Sequence, residues 1–315
     1  MQTYTEKIRQ AAKRLLSEKR VDAVIGFRKG TVVFMNEPFL AKIPEQADQL
    51  VWDGNCGINL ANYLPKMTGN IAIAAKGCDS RSIVIHLLEN QIKREQLYIL
   101  GIPCSGMIDK RRIQDGMNGR EILKAEDTGQ NVRIYGSDFE QTLERADFLQ
   151  ENCVICTHKN PVIYDELLGE PVEENQIDRY EDIRRIESML PEEKRLYFND
   201  LIKPCIRCYA CRNACPACFC PTCFVDESKP QWVGKTIDPT DTFTFHFLRA
   251  FHLAGRCTDC GACERACPVG IKVRLFTKKL EKEVKELYGY EAGVLQDQQP
   301  PLDTYRPEDP EPFLG

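Results

Sequence analysis

The chain has 315 residues, a formal net charge of −5 and 16 cysteines. This length favours two packed domains, each with a hydrophobic core of its own. The acidic balance excludes the basic surface that attracts nucleic acid or anionic lipid, and no apolar run is long enough to span a membrane. The N-terminal helical pattern lacks the apolar segment of a signal peptide, so we expect a cytoplasmic protein with reduced thiols.

Short apolar runs and helical patterns alternate in the first part of the chain. Buried strands are predicted at 21–27, 31–34, 71–75 and 97–102, and helices at 59–64 and 80–91. Strand, helix and strand in this order favour parallel pairing through right-handed crossovers. The sequence therefore predicts an α/β N-terminal domain with a mainly parallel sheet, over residues 1–160. Within it, 121–136 predicts a hairpin and 138–150 a short helix.

Two of the predicted strands are followed directly by a cysteine. Cys78 follows the strand at 71–75, and Cys104 follows the strand at 97–102. The carboxyl ends of neighbouring parallel strands lie at the same edge of a sheet, where α/β folds place their sites. We therefore expect Cys78 and Cys104 to lie in one crevice.

Ser80, Arg81 and Ser82 begin the helix predicted after the strand at 71–75. Helix N-termini favour anions and an arginine adds a fork of donors, so these three residues could bind a cofactor phosphate. The alternative is that Asp79 or Ser80 only caps the helix. The residues themselves favour neither interpretation.

The strongest motif is a run of four cysteines, Cys-x-x-Cys-x-x-Cys-x-x-x-Cys-Pro, which occurs at 205–216 and again at 257–268. Runs of this spacing bind [4Fe-4S] clusters in bacterial ferredoxins, and the fourth cysteine ligates the other cluster. Zinc also takes four thiolates, but usually from two separated Cys-x-x-Cys pairs, so iron is favoured. The predicted ligands are Cys205, Cys208, Cys211 and Cys267 for one cluster, and Cys257, Cys260, Cys263 and Cys215 for the second.

These runs predict an α+β dicluster ferredoxin-like domain at 201–290. An acidic, turn-rich linker precedes it at 161–200, and a proline-rich acidic tail follows at 291–315. We expect the tail to be mobile or to lie along a partner subunit.

The segment between the two cysteine runs contains three further thiols and a helical pattern at 242–253. Cys218, Cys220 and Cys223 either bind another metal or pack as small buried side chains, and packing is favoured. His246 and His252 of the helical pattern are interpreted as packing and hydrogen-bonding residues rather than ligands.

The N-terminal part has five scattered cysteines, at Cys56, Cys78, Cys104, Cys153 and Cys156. Four of them could hold a third [4Fe-4S] cluster, because the two-residue spacing of Cys153 and Cys156 suits neighbouring corners of a cubane. The alternative is that they are isolated buried cysteines.

The segments at 101–104 and 153–158 and the helix at 80–91 resemble the beta-subunit family of deazaflavin-coenzyme-reducing hydrogenases and formate dehydrogenases. In that family the domain carries a [4Fe-4S] cluster and FAD. The resemblance implies that Cys104, Cys153 and Cys156 are cluster ligands, with Cys56 or Cys78 as the fourth. This chain departs from the family at 77–82, where the family has a Ser-Gly-Gly entry to the flavin helix. It also places the dicluster module after the family-like domain, whereas the family commonly places it before.

We therefore expect an electron-transfer iron–sulfur subunit of an anaerobic oxidoreductase complex. Its partners would be heterodisulfide-reductase-like, hydrogenase or formate dehydrogenase subunits, and its two ferredoxin-type clusters would exchange electrons with a third centre. One alternative is a catalytic subunit in which FAD exchanges a hydride with NAD(P) or a deazaflavin coenzyme. Another is an adaptor with inert N-terminal cysteines.

Overall fold

The computed structural model describes residues 2–301, which divide into two compact units. The first contains the chain up to Ser80 together with Ile92–Ile177, and the second contains Arg81–Gln91 together with the chain from Asp178 onward. The chain therefore passes from one unit to the other inside a single helix. No helix among residues 2–301 is both long and apolar enough to cross a membrane.

The first unit combines a mixed sheet with helices and a small second sheet. Its strands are β1 Ala23–Lys29, β2 Asn36–Ala41, β3 Leu50–Val51, β4 Ile71–Ala75, β5 Leu97–Gly101, β6 Lys124–Asp127, β7 Asn131–Tyr135, β8 Glu140–Glu144 and β9 Glu166–Leu167. Its helices are α1 Gln2–Ser17, the first turn of α2 Gly77–Leu88, α3 Lys110–Gly116 and α4 Glu151–Val154. Short 3-10 helices lie at Pro44–Gln49, Leu60–Lys66, Arg94–Gln96 and Arg145–Phe148.

The main sheet confirms the predicted fold class of the first unit. Its order is β2-β1-β4-β5-β9, and β3 also pairs with β1. Strands β1, β4, β5 and β9 are parallel to one another, whereas β2 and β3 run antiparallel to β1. All five residues of β4 are buried, as expected for a parallel strand with both faces covered. The continuous apolar run at 71–75 is therefore explained by its central position.

Two predicted elements of this unit are wrong. Residues 31–34, predicted as a strand, form a turn in which Gly30 N donates to Met35 O and Phe34 has a φ of 62°. This turn reverses the chain, so the strand that pairs with β1 is β2. Residues 138–150, predicted as a helix, contain β8 and a 3-10 helix. Only Leu143 of β8 is buried, so this strand lacks the alternation that sequence patterns detect.

The second sheet confirms the predicted hairpin. Strands β6 and β7 pair antiparallel across the turn at 128–130, and β8 adds to β7. Val132, Ile134 and Leu143 of this sheet pack in one apolar cluster with Ile108 and Ile113. The loop that follows Cys104 is thereby attached to the second sheet.

The second unit is helical in its described part. It contains the rest of α2, α5 Glu181–Glu187, α6 Pro191–Ile202, α7 Ala210–Asn213, α8 Pro239–His252, α9 Ala262–Ala266 and α10 Arg274–Tyr288. Residues 178–301 form no strand, which differs from the expected α+β domain. The cysteine loops contain left-handed residues, and these interrupt the extended backbone that a strand needs.

The predicted linker and tail are only partly irregular. Residues 161–200 contain β9, α5 and most of α6, so three regular elements lie in the predicted linker. Of the predicted tail, Ala292 and Pro300 are buried, and residues 302–315 lie outside the described residues.

His86 of α2 gives the second unit a testable acid sensitivity. Its side chain is fully buried, its Nε2 lies 2.8 Å from Pro216 O, and burial lowers its pKa to about 4. An unfolded histidine titrates near pH 6.5, so the unfolded state binds the proton first as the pH falls, and stability is lost between about pH 6.5 and pH 4. From pH 7.5 to pH 5.5 we expect His86 to cost about 1 kcal/mol in the free energy of unfolding, measured by anaerobic denaturant titration.

The variant His86→Gln is the control, because its amide can still donate to Pro216 O but does not titrate in this range. Its loss of stability over the same pH interval should be smaller by about 1 kcal/mol. An equal loss in both proteins would show that His86 is not responsible.

Candidate metal centres

The two cysteine runs share one backbone conformation. In the first run Arg207 and Tyr209 have φ values of 55° and 58°, and in the second run Asp259 and Gly261 have φ values of 54° and 71°. The left-handed region is costly for residues other than glycine, so its recurrence at matching positions indicates a required local geometry. Each run therefore has a left-handed residue at the same two positions, two and four residues after its first cysteine.

The first thiol group takes three members from the first run and one from the second. Burial raises the pKa of Cys205, and the nearby thiols of Cys267 and Cys208 raise it further. Burial likewise raises the pKa of Cys211, and Cys205, Cys267 and Cys208 add to this increase. Cys267 therefore lies with Cys205, Cys208 and Cys211 rather than with its own run.

The second thiol group is the reciprocal one. Cys215, Cys257, Cys260 and Cys263 line one small cavity with a volume of about 20 Å³. Burial raises the pKa of Cys257 to about 12, and Cys215 contributes to this increase. The structure thus brings together the two sets of four cysteines that the spacing predicts, including the exchanged members Cys215 and Cys267.

Several hydrogen bonds are directed at these sulfurs. Arg207 N lies 3.5 Å from Cys205 Sγ, and Ile271 N lies 3.3 Å from Cys267 Sγ. The ring of His246 on α8 lies 3.4 Å from Cys205 Sγ through its Nε2. Hydrogen bonds to ligating sulfurs are among the factors that set the potential of an iron–sulfur centre. His246 thus has the hydrogen-bonding position that its sequence context predicts.

Asp259, in the second cysteine run, is tied to α10 by buried ion pairs. Its carboxylate accepts hydrogen bonds from Arg274 at 2.9 Å and Lys278 at 2.6 Å, and Arg179 lies 3.4 Å away. Although burial alone would raise it, the pKa of Asp259 is held well below its usual range by Arg274 and Lys278. These contacts fix the loop between Cys257 and Cys260.

Three N-terminal thiols lie on the segments after β5 and around α4: Cys104 follows β5, Cys153 lies in α4, and Cys156 follows α4. Cys104 Sγ accepts a hydrogen bond from Gly106 N at 3.4 Å, and Cys153 Sγ accepts one from Met107 N at the same distance. Burial raises the pKa of Cys104, and the thiol of Cys156 contributes to this increase. Cys104, Cys153 and Cys156 are therefore neighbours, as the resemblance implies.

The environments of Cys78 and Cys56 differ. The buried Lys76 donates to Asp79 Oδ2 at 2.8 Å, and its pKa is raised by Asp79, Cys78 and Cys104 against the effect of burial. Cys78 and Cys104 therefore lie near one buried ammonium group, which also acts on Cys56.

Cys56 is fully buried, and its sulfur has three hydrogen-bond partners. Its Sγ accepts from Asn36 Nδ2 at 3.3 Å and from Asp53 N at 3.4 Å, and donates to Val51 O at 3.8 Å. Burial raises its pKa to about 12. Its sulfur is therefore satisfied as a neutral thiol.

The residues predicted to bind a phosphate are buried and bonded inside the protein. Their partners are Gly77 O and Val162 N for Ser80, Ala292 O for Arg81, and Thr258 Oγ1 for Ser82. Asp79 Oδ2 accepts from Lys76 N at 3.1 Å, next to the start of α2. These contacts correspond to the helix-capping alternative more closely than to an anion site.

The three thiols after the first run lie in different environments. Cys218 is hydrogen-bonded to Cys215, which lowers the pKa of Cys218, whereas Cys220 is exposed. Cys223 lies beside Arg212. Within residues 2–301, no three histidine, cysteine, aspartate or glutamate side chains are arranged to hold a single metal ion.

Sequence reasoning missed the charged residues that surround the thiols. Lys76 and Asp259 each lie within two residues of a predicted ligand, so their positions in the sequence could have indicated a role. Arg249, in the cavity lined by the second thiol group, has no such signal because it lies in the insert between the runs.

Comparison with known proteins places a 4Fe-4S dicluster domain at residues 201–271. The F420-dependent formate dehydrogenase subunit beta of Methanocaldococcus jannaschii is 25% identical over 92% of both chains. The F420-dependent formate dehydrogenase 1 subunit beta of Methanococcus maripaludis is 26% identical over 92% of this chain and 90% of its own length. A chain of the F420-reducing [NiFe] hydrogenase complex from Methanosarcina barkeri matches 50% of this chain and 59% of its own, with 14% identity and a TM-score of 0.38.

The dicluster domain defines an iron–sulfur electron-transfer protein. More particularly, the chain is homologous to beta subunits of F420-dependent formate dehydrogenases, which confirms the resemblance seen in the sequence.

The ion pairs of Asp259 lead to a prediction for cluster retention. The variant Asp259→Asn leaves three buried cations without their shared carboxylate, and breaking a buried pair costs about 3 to 5 kcal/mol. We expect about four irons fewer per chain and a lower unfolding midpoint, measured by iron quantification and anaerobic denaturation.

Asp226→Asn is the matched control. Asp226 pairs with Arg212 but is half exposed, so its loss should leave the iron content unchanged and cost less than about 1 kcal/mol. Full iron content and unchanged stability in Asp259→Asn would contradict the anchoring role.

Proposed function

We propose that this chain is the electron-transfer subunit of an oxidoreductase complex and holds two [4Fe-4S] clusters through its eight ferredoxin-type cysteines. Such clusters, when bound, supply one-electron transfer at potentials set by their surroundings. The observation that supports this most strongly is the exchange of Cys215 and Cys267 between the two runs. In two-cluster ferredoxins the fourth cysteine of each run ligates the other cluster, so this exchange is expected of a dicluster domain. Cysteines that bind no cluster would not require it.

The chemistry of the donor sets fits this assignment. Each group is made of thiols from runs that contain left-handed residues, and backbone N–H groups donate to the sulfurs of Cys205 and Cys267. Cys211 and Cys267 are buried, whereas Cys208 is exposed. The residues of the first group thus shield most of the site from water but leave one corner at the surface, where an electron can enter or leave.

For the N-terminal thiols we propose a third cluster held by Cys78, Cys104, Cys153 and Cys156. Cys78 is preferred to Cys56 because the Cys56 side chain is fully buried and its sulfur is already satisfied as a neutral thiol by three hydrogen bonds. Lys76 would supply positive charge to a group of thiolates. The chain would then connect a dicluster domain to a third centre.

Ser80, Arg81 and Ser82, the candidates for binding a cofactor phosphate, do not fit that role. The polar atoms of Ser80 and Ser82 are bonded within the protein, and Arg81 donates to Ala292 O. We therefore derive no flavin step for this chain.

The partners are proposed from the homologues. These proteins are named as beta subunits of F420-dependent formate dehydrogenases, and a subunit functions with other chains. We propose that this chain likewise assembles with the other subunits of a formate dehydrogenase or hydrogenase complex. Copurification of an affinity-tagged chain from its own cells tests this, and recovery of the chain alone would argue against it.

The iron content tests the cluster assignment. Anaerobically purified protein should contain about twelve irons and about twelve acid-labile sulfides per chain, and low-temperature electron paramagnetic resonance should show reducible [4Fe-4S] centres. About eight irons would leave the dicluster domain and remove the third centre. Zinc in place of iron would refute the proposed function.

The fourth ligand of the third centre is tested by a matched pair of variants. Cys78→Ser should lower the iron content by about four per chain, because it removes one corner of a cubane. Cys56→Ser should keep the full content, since Cys56 is not a proposed ligand. The opposite result, with iron lost only in Cys56→Ser, would assign Cys56 as the ligand.

A further inference from the structure

Arg249 lies on α8 in the insert between the two cysteine runs, and its position is unusual for a charged side chain. Only 4% of its surface is exposed. One guanidinium nitrogen, Nη2, donates to Cys211 O at 3.1 Å. The same side chain lines the cavity formed by Cys215, Cys257, Cys260 and Cys263. Arg249 therefore contacts the backbone of one thiol group and the cavity of the other.

The charge of Arg249 has no carboxylate partner among the described residues. The other deeply buried arginines of this unit differ in this respect: Arg274 pairs with Asp259 at 2.9 Å, and Arg179 pairs with Glu281 at 2.7 Å. Burial works against the charged form of Arg249, but its pKa is raised by cysteines of both thiol groups, Cys215, Cys263 and Cys211, and by Cys218, which is also hydrogen-bonded to Arg249.

A buried charge without a counter-charge costs several kcal/mol. Arginine does not avoid this cost by losing its proton, because its charge is permanent in proteins. The Nε of Arg249 is also buried without a hydrogen-bond acceptor in the described part of the chain. The side chain thus has a positive charge without a carboxylate partner, and its Nε is an unused donor beside the cavity of the second thiol group.

An anion in each thiol group accounts for both features. A [4Fe-4S] centre with four thiolates is anionic, and it becomes more anionic when it is reduced. A fixed positive charge next to two such centres stabilises the reduced form of each, and the effect is strong because the surroundings are poor in water.

We propose that Arg249 is the shared counter-charge of the two ferredoxin-type clusters and raises both of their reduction potentials. Arg249 is then not a ligand, and it acts on the clusters only through its positive charge. Helix α8, which carries Arg249, therefore contributes to electron transfer. This inference rests on the two clusters proposed above.

The experiment is a redox titration followed by low-temperature electron paramagnetic resonance, on the full chain purified without oxygen. In Arg249→Met, which keeps much of the volume but not the charge, we expect the equilibrium constant for reduction to fall by about tenfold at both clusters. This is a shift of about 59 mV to lower potential for a one-electron centre. Arg249→Lys keeps the charge and should keep both potentials close to those of the parent.

The control is a double variant that removes an ion pair at the same cavity but leaves the net charge unchanged. Arg256 also lines the cavity but is paired with Glu89 at 2.7 Å. The double variant Arg256→Gln with Glu89→Gln removes this pair without changing the net charge, so both potentials should stay within about a quarter of the Arg249→Met shift.

Each outcome decides the proposal. Unchanged potentials in Arg249→Met with full iron content, or a shift at one cluster only, would overturn the shared role. If Arg249→Met loses its clusters, retention of both clusters at parental potentials in Arg249→Lys supports the charge, whereas loss in Arg249→Lys too would overturn it. A parent protein without about eight irons in this domain would refute the clusters themselves, which is a separate result.

Discussion

With the two proposed clusters in place, the second unit has to hold eight thiolates in a small volume that contains little water. Burial raises the pKa of Cys205, Cys211 and Cys257, because a thiolate loses its hydration when it leaves the solvent. The free energy that deprotonates these groups must come from ligation, since metal binding and thiol ionisation are coupled. The charged residues, loops and helices around the cysteines compensate for the cost of burying thiolates.

Positive charge is placed near the cysteines of the second unit in two different ways, one at Asp259 and the other at Arg249. At Asp259 an acidic residue is placed inside a cysteine loop and bound to Arg274 and Lys278, so the loop is fixed while the charges nearly balance locally. At Arg249 the charge is left unbalanced beside the thiols. The first arrangement fixes geometry, whereas the second changes the electrostatic potential at the site, and the two roles are therefore separable by mutation.

Much of this organisation could be predicted from local patterns, because some constraints act within a few residues. The cysteine runs identify the two thiol groups and their exchange, and the apolar run at 71–75 identifies the central strand. A pattern fails where the constraint comes from the pairing of distant segments. Strand β8 has only Leu143 buried, and it is a strand because β7 lies beside it. The turn at 31–34 is apolar, but the antiparallel pairing of β1 and β2 requires a reversal there.

The difference between local constraints and constraints from distant segments also explains why the proposed ligands could be predicted from the sequence, whereas the charged residues around them could not. A cubane is bound by several cysteines that lie a few residues apart in the sequence, so the motif can be recognised from the sequence alone. A counter-charge requires only proximity in space, so it can come from any element that packs against the site. Arg249 follows Cys211 by 38 residues, and Arg179 precedes Asp259 by 80. Potentials are set by such distant groups, and for that reason the sequence motif specifies which cofactor is bound but not the direction in which electrons move.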